Sequence, residues 1–281
     1  MNHLDINFQF LAEAFKLVIL GIIQGLTEFL PISSTAHLMT IPGLLGIEEP
    51  NLSVIASLQL GSIIAVFIYF WKDLINIAKG FTFIFKSQGT IHKNTILANS
   101  IIVGNIPIIL IGIFIKFIWS DYESSSLRSI PVIGSVSIFM ALILLFSERY
   151  GRKNRSFNEI NIKDAFYIGA SQVLALIPGV SRSGITISTS LLCGLDRTSS
   201  ARFSFLLGIP AITLAGIVEF NSALIKSSDQ SIFILIGILS SAITSWLSID
   251  LLIKFLKRSS TIIFVYYRLF FGTIILANYF L

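Results

Sequence analysis

Six apolar runs punctuate the chain, at 52–71, 95–119, 130–147, 203–220, 231–253 and 262–281. Each approaches or exceeds the roughly 18 residues that carry a helix across a bilayer. In lipid a backbone has no water to bond with, so runs of this length leave room for little but helix. With 54% hydrophobic and 12% charged residues and a mean hydropathy of +0.85, the chain holds more apolar surface than a soluble domain of this size buries. The sequence therefore predicts an all-α polytopic membrane protein. The first twenty residues carry Asp5 and Glu13 with neither a basic head nor a small-residue cleavage site, and do not read as a removable signal peptide. A lone cysteine, Cys193, excludes an internal disulfide and reads as a packing residue.

The net charge of +5 is not a nucleic-acid footprint here, because the basic residues gather between the spans. The loop from Trp71 to Lys93 carries Lys72, Lys79, Lys86 and Lys93. The loop after Ser147 carries Arg149, Arg152, Lys153, Arg155 and Lys163, and the connection at 254–258 carries Lys254, Lys257 and Arg258. The alternate connections hold Glu48 and Glu49, then Asp121, Glu123 and Arg128, then Asp229 and Lys226. The positive-inside rule puts the first set in the cytoplasm and the second outside. Parity then constrains the two remaining apolar segments, 8–47 and 165–195, both interrupted by proline and polar residues. Segment 165–202 must begin and end inside, so it dips in and returns or crosses twice. By symmetry segment 8–51 does the same from outside. The expected architecture is two inverted-topology repeats, 1–147 and 165–281, joined by the basic loop 148–164, each a re-entrant broken helix followed by three spans. Gly21, Gln24, Ser33 and Thr35 share one register offset with Gly169, Gln172, Ser181 and Ser183, and Pro31 and Pro178 are displaced by one.

Broken helices matter because the exposed N–H groups and positive dipole ends at a helix start attract anions. Pro31 breaks the first segment, and Ser33 or Ser34 can cap a new helix. Pro178 and Gly179 break the second, and Ser181 or Ser183 can cap there. Two hydroxyl-lined helix starts facing each other near the midplane suit a phosphate group. Arg182 lies between serines in an apolar run, where an unpaired arginine costs about 2.5 to 3.5 kcal/mol; its planar fork suits bidentate phosphate. Gln24 and Glu28, four apart on one helical face, place two oxygens where a divalent cation can share them. Ser34 and His37, three apart, are neighbours, and a histidine within reach of a serine can take its proton. His3 and His92 are assigned no role.

These residues lie in motifs that resemble a known family. GLTEFLPISSTAH (25–37) and PGVSRSG (178–184), with LQLGSIIAVF (58–67), FSFLLGIPA (203–211) and VYYRL (265–269), make the chain similar nearly end to end to the bacterial undecaprenyl-diphosphatases of the BacA or UppP type, the bacitracin resistance proteins. The resemblance implies a membrane hydrolase that removes the terminal phosphate of undecaprenyl diphosphate and returns the lipid carrier to cell-wall synthesis. It implies Glu28 as the essential acid, Ser34 and His37 as the reacting pair and Arg182 as the phosphate clamp. Ser33, Thr35, Ser181 and Ser183 would be donors around the substrate, with Arg268 near the site. It further implies a divalent cation, magnesium or calcium, on Glu28 and Gln24, a bacterial inner-membrane location with the site open to the external face, and leaves a homodimer open. Family members often carry Glu at the position of Gln24, and an amide is a weaker hard-cation ligand than a carboxylate. A carrier or flippase for an anionic lipid is the competing class, since inverted repeats with broken helices also describe transporters. Transport needs an anion site but no nucleophile and base.

Overall fold

The computed structural model describes residues 3–85, 93–119, 122, 125–224 and 231–280. Among these, eleven α-helices follow in order: α1 (His3–Phe29), α2 (Ser34–Leu44), α3 (Leu52–Tyr69), α4 (Trp71–Phe85), α5 (Lys93–Ile118), α6 (Ile130–Tyr150), α7 (Ile162–Gln172), α8 (Arg182–Leu192), α9 (Arg197–Leu224), α10 (Ser231–Leu256) and α11 (Ile262–Phe280). Five stretches are long and apolar enough to cross a membrane: 10–29, 93–118, 130–150, 232–256 and 262–280. The bent pair α3 and α4, turned by 78° at Phe70, makes a sixth when taken as one span. The protein is an all-helical polytopic membrane protein.

Four of the expected runs correspond to α5, α6, α10 and α11, and α3 and α9 carry the runs at 52–71 and 203–220. The first interrupted segment holds α1, with 27 residues and a stretch of membrane-crossing length, and α2, with 11, whereas α7 and α8 of the second have 11 each. One expectation is corrected. The stretch from Trp71 is not a loop but helix α4. Leu74, Ile77 and Phe81 form an apolar stripe that packs into the core while Lys72 and Lys79 lie on the exposed side, a pattern that basic-residue counting overlooks. Lys86, Asp121, Glu123, Lys226 and Asp229 of the expected loops lie outside the described residues.

Helix pairs approach closely because their contacts are small residues. Between α1 and α10, a Cβ on Gly21 would stand 2.6 Å from the Gly237 carbonyl, and one on Gly25 would stand 2.7 Å from the backbone N of Ser245. Gly134 of α6 meets Gly272 of α11, and Gly104 of α5 meets Gly169 of α7, in the same way. Lipid supplies no hydrophobic drive between helices, so close backbone packing and interhelical hydrogen bonds carry the association. The serines and threonine of α10 supply the bonds: Ser240 to the Val18 carbonyl at 2.9 Å, Thr244 to Gly21 at 3.2 Å, Ser248 to Leu26 at 3.1 Å and Ser241 to Leu58 at 2.7 Å. Phe29, Phe203 and Phe205 anchor the largest core cluster, with Phe29 edge-on to Phe205 at 5.2 Å. Large apolar side chains such as Leu110, Phe139, Leu251 and Phe270 remain exposed, as a lipid-facing surface requires.

The basic loop after α6 is a built element. Arg155 forks onto Asp164 at 2.6 and 2.9 Å and donates to the Cys193 and Glu159 carbonyls. The Asp164 carboxylate holds the Arg155 guanidinium above its ordinary pKa. The Ser156 backbone N–H and hydroxyl hold the Glu159 carboxyl below its own. Glu148, 5% exposed, ties α6 to Arg197 at 2.5 Å and to the Thr261 hydroxyl at 2.8 Å. These ties fix the entry to α7 and the spacing of α6, α9 and α11, the frame on which the second helix break sits.

Candidate active site

Helix α1 stops at Phe29, since the ring of Pro31 disfavours helical backbone at the preceding residue. Residues 30–33 turn, and α2 restarts with Ser33 as N-cap, its hydroxyl accepting the Ala36 N–H at 3.4 Å. The second break repeats this: Ser181 caps α8 and accepts the Gly184 N–H at 3.1 Å. Of the two candidate caps in each segment, the first serine is the one used. Both caps have left-handed backbone, φ 76° at Ser33 and φ 72° at Ser181, which costs a side-chain-bearing residue about 1 to 3 kcal/mol. Strain of that size persists only where surrounding contacts enforce it.

Arg268 is one enforcer. Its guanidinium, 1% exposed, donates to the carbonyls of Ser137 (3.2 Å), Pro31 (3.1 Å), Val180 (3.2 Å) and Gly179 (2.7 Å), binding both breaks into one unit. Ser183 adds a bond to the Leu30 carbonyl at 2.9 Å. Neither side chain lines the cavity below, and in this structure both bond to the frame of the two breaks.

A cavity of about 590 Å³ opens against the two breaks. Gln24, Glu28, Ser33, Ser34 and Thr35 line it from the first, and Ser181 and Arg182 from the second. Apolar side chains of α5 and α9, among them Ile109, Ile113 and Ile212, complete the wall. Glu28, 9% exposed, is the hub. Its Oε2 accepts from the Ser34 hydroxyl at 2.7 Å and from Gln24 Nε2 at 3.1 Å, and its Oε1 accepts from Arg182 Nη2 at 3.4 Å. Arg182 also donates to the Ser204 carbonyl at 3.1 Å, while its buried Nε has no hydrogen-bond partner among the described residues. Two helix starts and a guanidinium beside a hydroxyl bonded to a carboxylate make an arrangement that can bind an anion and present a hydroxyl to it.

The expected partnership of Ser34 with His37 is not formed. His37, 1% exposed, does not line the cavity. Its Nδ1 lies 2.7 Å from the Ser33 carbonyl and its Nε2 2.6 Å from the Tyr267 hydroxyl. A carbonyl brings no proton, so Nδ1 carries the hydrogen and Nε2 accepts from Tyr267. No lone pair remains for Ser34, whose proton points to Glu28.

The donors suit a hard cation only in part. Among the described residues no group of three or more His, Cys, Asp and Glu side chains could hold a metal. One carboxylate with hydroxyl and amide oxygens fits an ion that takes its remaining ligands from phosphate and water, as magnesium commonly does. Gln24 presents its Nε2 to Glu28 and to Ser62 at 3.4 Å, so its oxygen reaches such an ion only after the amide turns over.

The profile described as "Bacitracin resistance protein BacA" matches residues 17–274, nearly the whole chain. The chain belongs to the BacA family. Relatives named undecaprenyl-diphosphatase agree from end to end. One from Prochlorococcus marinus is 52% identical over 282 residues, covering 100% of this chain and 98% of its own length. A second from another strain of that organism is 50% identical, covering 96% of this chain and 92% of its own. One from Parasynechococcus marenigrum is 50% identical over 92% and 91%.

Three residues of this BacA chain emerge only from the structure. Gly208 leaves the space that the Arg182 guanidinium fills, since a Cβ there would collide with it. Lys116, at the end of α5, lines the cavity although it reads as a terminal lysine of an apolar span. Tyr267 closes the hydrogen bond on His37 and lies next to Arg268 in the VYYRL motif, the one sequence signal that could have found it.

Proposed function

We propose that the chain is an undecaprenyl-diphosphatase of the bacterial cell membrane, hydrolysing the terminal phosphoanhydride of the polyprenyl diphosphate to undecaprenyl phosphate and inorganic phosphate. The observation that carries this is the 2.7 Å bond from the Ser34 hydroxyl to Glu28 inside the cavity that also holds Arg182 and both helix starts. A carrier needs the anion site but not that pair, so hydrolysis is favoured over transport.

The diphosphate enters head first while the prenyl chain stays against apolar α5 and α9. Arg182 and the N–H groups at the starts of α2 and α8 neutralise its charge. Ser34 attacks the terminal phosphorus in line as its proton passes to Glu28. The bond to the bridging oxygen breaks, undecaprenyl phosphate departs, and a phosphoserine remains. Water, deprotonated by Glu28 once that carboxyl has released its first proton, then frees phosphate and restores Ser34. Positioning and charge stabilisation supply most of the acceleration. Ser33, Thr35 and Ser181 line the same space as donors. A divalent cation, Mg2+ or Ca2+, would be held by Glu28 together with phosphate oxygens and would add charge neutralisation, with Gln24 as a neighbouring amide. Gln24→Glu adds a hard ligand and should reach half-maximal activity at a lower magnesium concentration than wild type. Superimposable metal titrations would remove position 24 from cation binding.

The halves 1–147 and 165–281, joined by 148–164, are proposed as inverted repeats. In support, α1 packs on α10 as α7 packs on α5, and α3 packs on α10 as α9 packs on α5. The caps Ser33 and Ser181 share one backbone conformation. The distribution of basic residues supports an orientation with residue 154 in the cytoplasm and residue 51 outside, and the cavity is proposed to open to the external side. Phosphate release from undecaprenyl diphosphate by purified protein in detergent tests the activity. In a Cys193→Ser background, Asn51→Cys should react with an impermeant thiol reagent in intact cells and Asn154→Cys should not. No phosphate release, or the reverse labelling, overturns the corresponding claim.

A further inference from the structure

His37 and Tyr267 form a side-chain relay whose far end is the strained turn that carries the nucleophile. Ser33 keeps φ 76°, and its carbonyl is gripped twice by His37, by the backbone N–H at 3.3 Å and by Nδ1 at 2.7 Å. The imidazole is in turn fixed in both orientation and tautomer. Phe271 stacks on it at 4.0 Å with 5° between the planes, and Tyr267 lies nearly parallel at 5.6 Å and 8°. The Tyr267 hydroxyl bonds Nε2 at 2.6 Å, which commits the ring hydrogen to Nδ1 and so to the Ser33 carbonyl. Ser34 follows Ser33 directly, and the direction of its hydroxyl depends on that carbonyl staying in place.

Among the described residues the second break has no such relay. At the same offset His37 corresponds to Ile185, a buried aliphatic residue, and the Ser181 carbonyl accepts, among the described residues, the Ile185 backbone N–H alone, at 3.0 Å. The clamp is built only where the nucleophile sits. Arg182, the residue in the place of Ser34, is held by its own bonds to Ser204 and Glu28.

We propose that Tyr267 is a positioning residue for the phosphatase reaction, acting through His37 to hold the Ser33 carbonyl and thereby aim the Ser34 hydroxyl at Glu28. The inference rests on the phosphatase reading above. Removing the hydroxyl leaves Nε2 buried without its donor, so the ring shifts tautomer or turns to find one, and its grip on Ser33 loosens.

The test is Tyr267→Phe, which keeps the ring and its stacking, read in three ways. First, kcat should fall about ten- to a hundredfold, the scale of a small misplacement of a reacting group, while KM stays within about twofold. Second, the loss should vanish in a His37→Ala background, because a residue acting through His37 has nothing left to act on. Third, nitrogen-15 resonances of the His37 imidazole should report the Nδ1–H tautomer in the wild type and a changed state in Tyr267→Phe, independently of activity. Phe271→Leu, which loosens only the stack, should lower kcat in the same direction and covers the case of a Tyr267→Phe protein that does not fold. Wild-type kcat in Tyr267→Phe, full additivity with His37→Ala, or an Nε2–H tautomer in the wild type would overturn the proposal. Absence of phosphate release from the wild type sinks the phosphatase reading instead, and the tautomer then still decides whether the relay exists.

Discussion

Replacing Ser34 or Glu28 by alanine should lower phosphate release from undecaprenyl diphosphate by about two orders of magnitude or more, with the protein still inserted and folded. In the proposed mechanism Ser34 supplies the attacking oxygen and Glu28 takes its proton across the 2.7 Å bond between them. Because the two act as one unit, the double variant should be little worse than the poorer single variant, whereas independent contributions would multiply. Glu28→Gln keeps the volume and an acceptor oxygen but not the basicity, and should be nearly as poor as Glu28→Ala. Trapping supplies a second readout: rapid quenching during turnover should leave phosphate on Ser34 in the wild type and none in Ser34→Ala. Wild-type turnover in Ser34→Ala would transfer the attack to water and leave the serine as a substrate donor.

Arg182→Lys should fail nearly as badly as Arg182→Ala, by about a hundredfold in kcat/KM. The guanidinium spans two partners at once, the Ser204 carbonyl at 3.1 Å and Glu28 at 3.4 Å, and its buried Nε–H has no hydrogen-bond partner among the described residues. A lysine ammonium is a point charge on a flexible stem and cannot hold that fork. The same geometry predicts the effect of a residue with no chemistry of its own. A methyl group at Gly208 would occupy the guanidinium's place, so Gly208→Ala should displace the fork and lower kcat/KM by about tenfold or more without altering the rest of the packing. The displaced atoms are the end of a flexible side chain, so the variant should fold. Arg182→Lys with wild-type kcat/KM would reduce Arg182 to a simple counter-charge for Glu28. Full activity in Gly208→Ala would mean that the fork works equally well from another rotamer.

The helical class was legible because apolar runs of membrane length admit one secondary structure, and charge in the connections needs no folding to be counted. The two breaks were legible for a related reason. Pro31 and Pro178 act on their own neighbours through sterics, and Ser33 and Ser181 cap through bonds only three residues long. Helix α4 was missed because its amphipathic stripe was hidden beneath a count of lysines.

What the sequence determined by itself is local: that the chain lives in lipid, where it breaks, and which polar residues stand at the breaks. What only the tertiary structure decided is who partners whom. Ser34 lies six residues from Glu28 across a helix break and three from His37 along a helix, and sequence spacing favours the histidine. The turn at 30–33 folds Ser34 back to the carboxylate, while Tyr267, 230 residues away, takes the imidazole lone pair. Arg268 likewise shows its partners only in the fold, where four carbonyls from three separate segments converge on it. Hydrogen bonds span about 3 Å in space whatever the separation along the chain. Chemistry that depends on them is set by packing, and in this protein that packing depends on glycines which let helices from opposite ends of the chain meet.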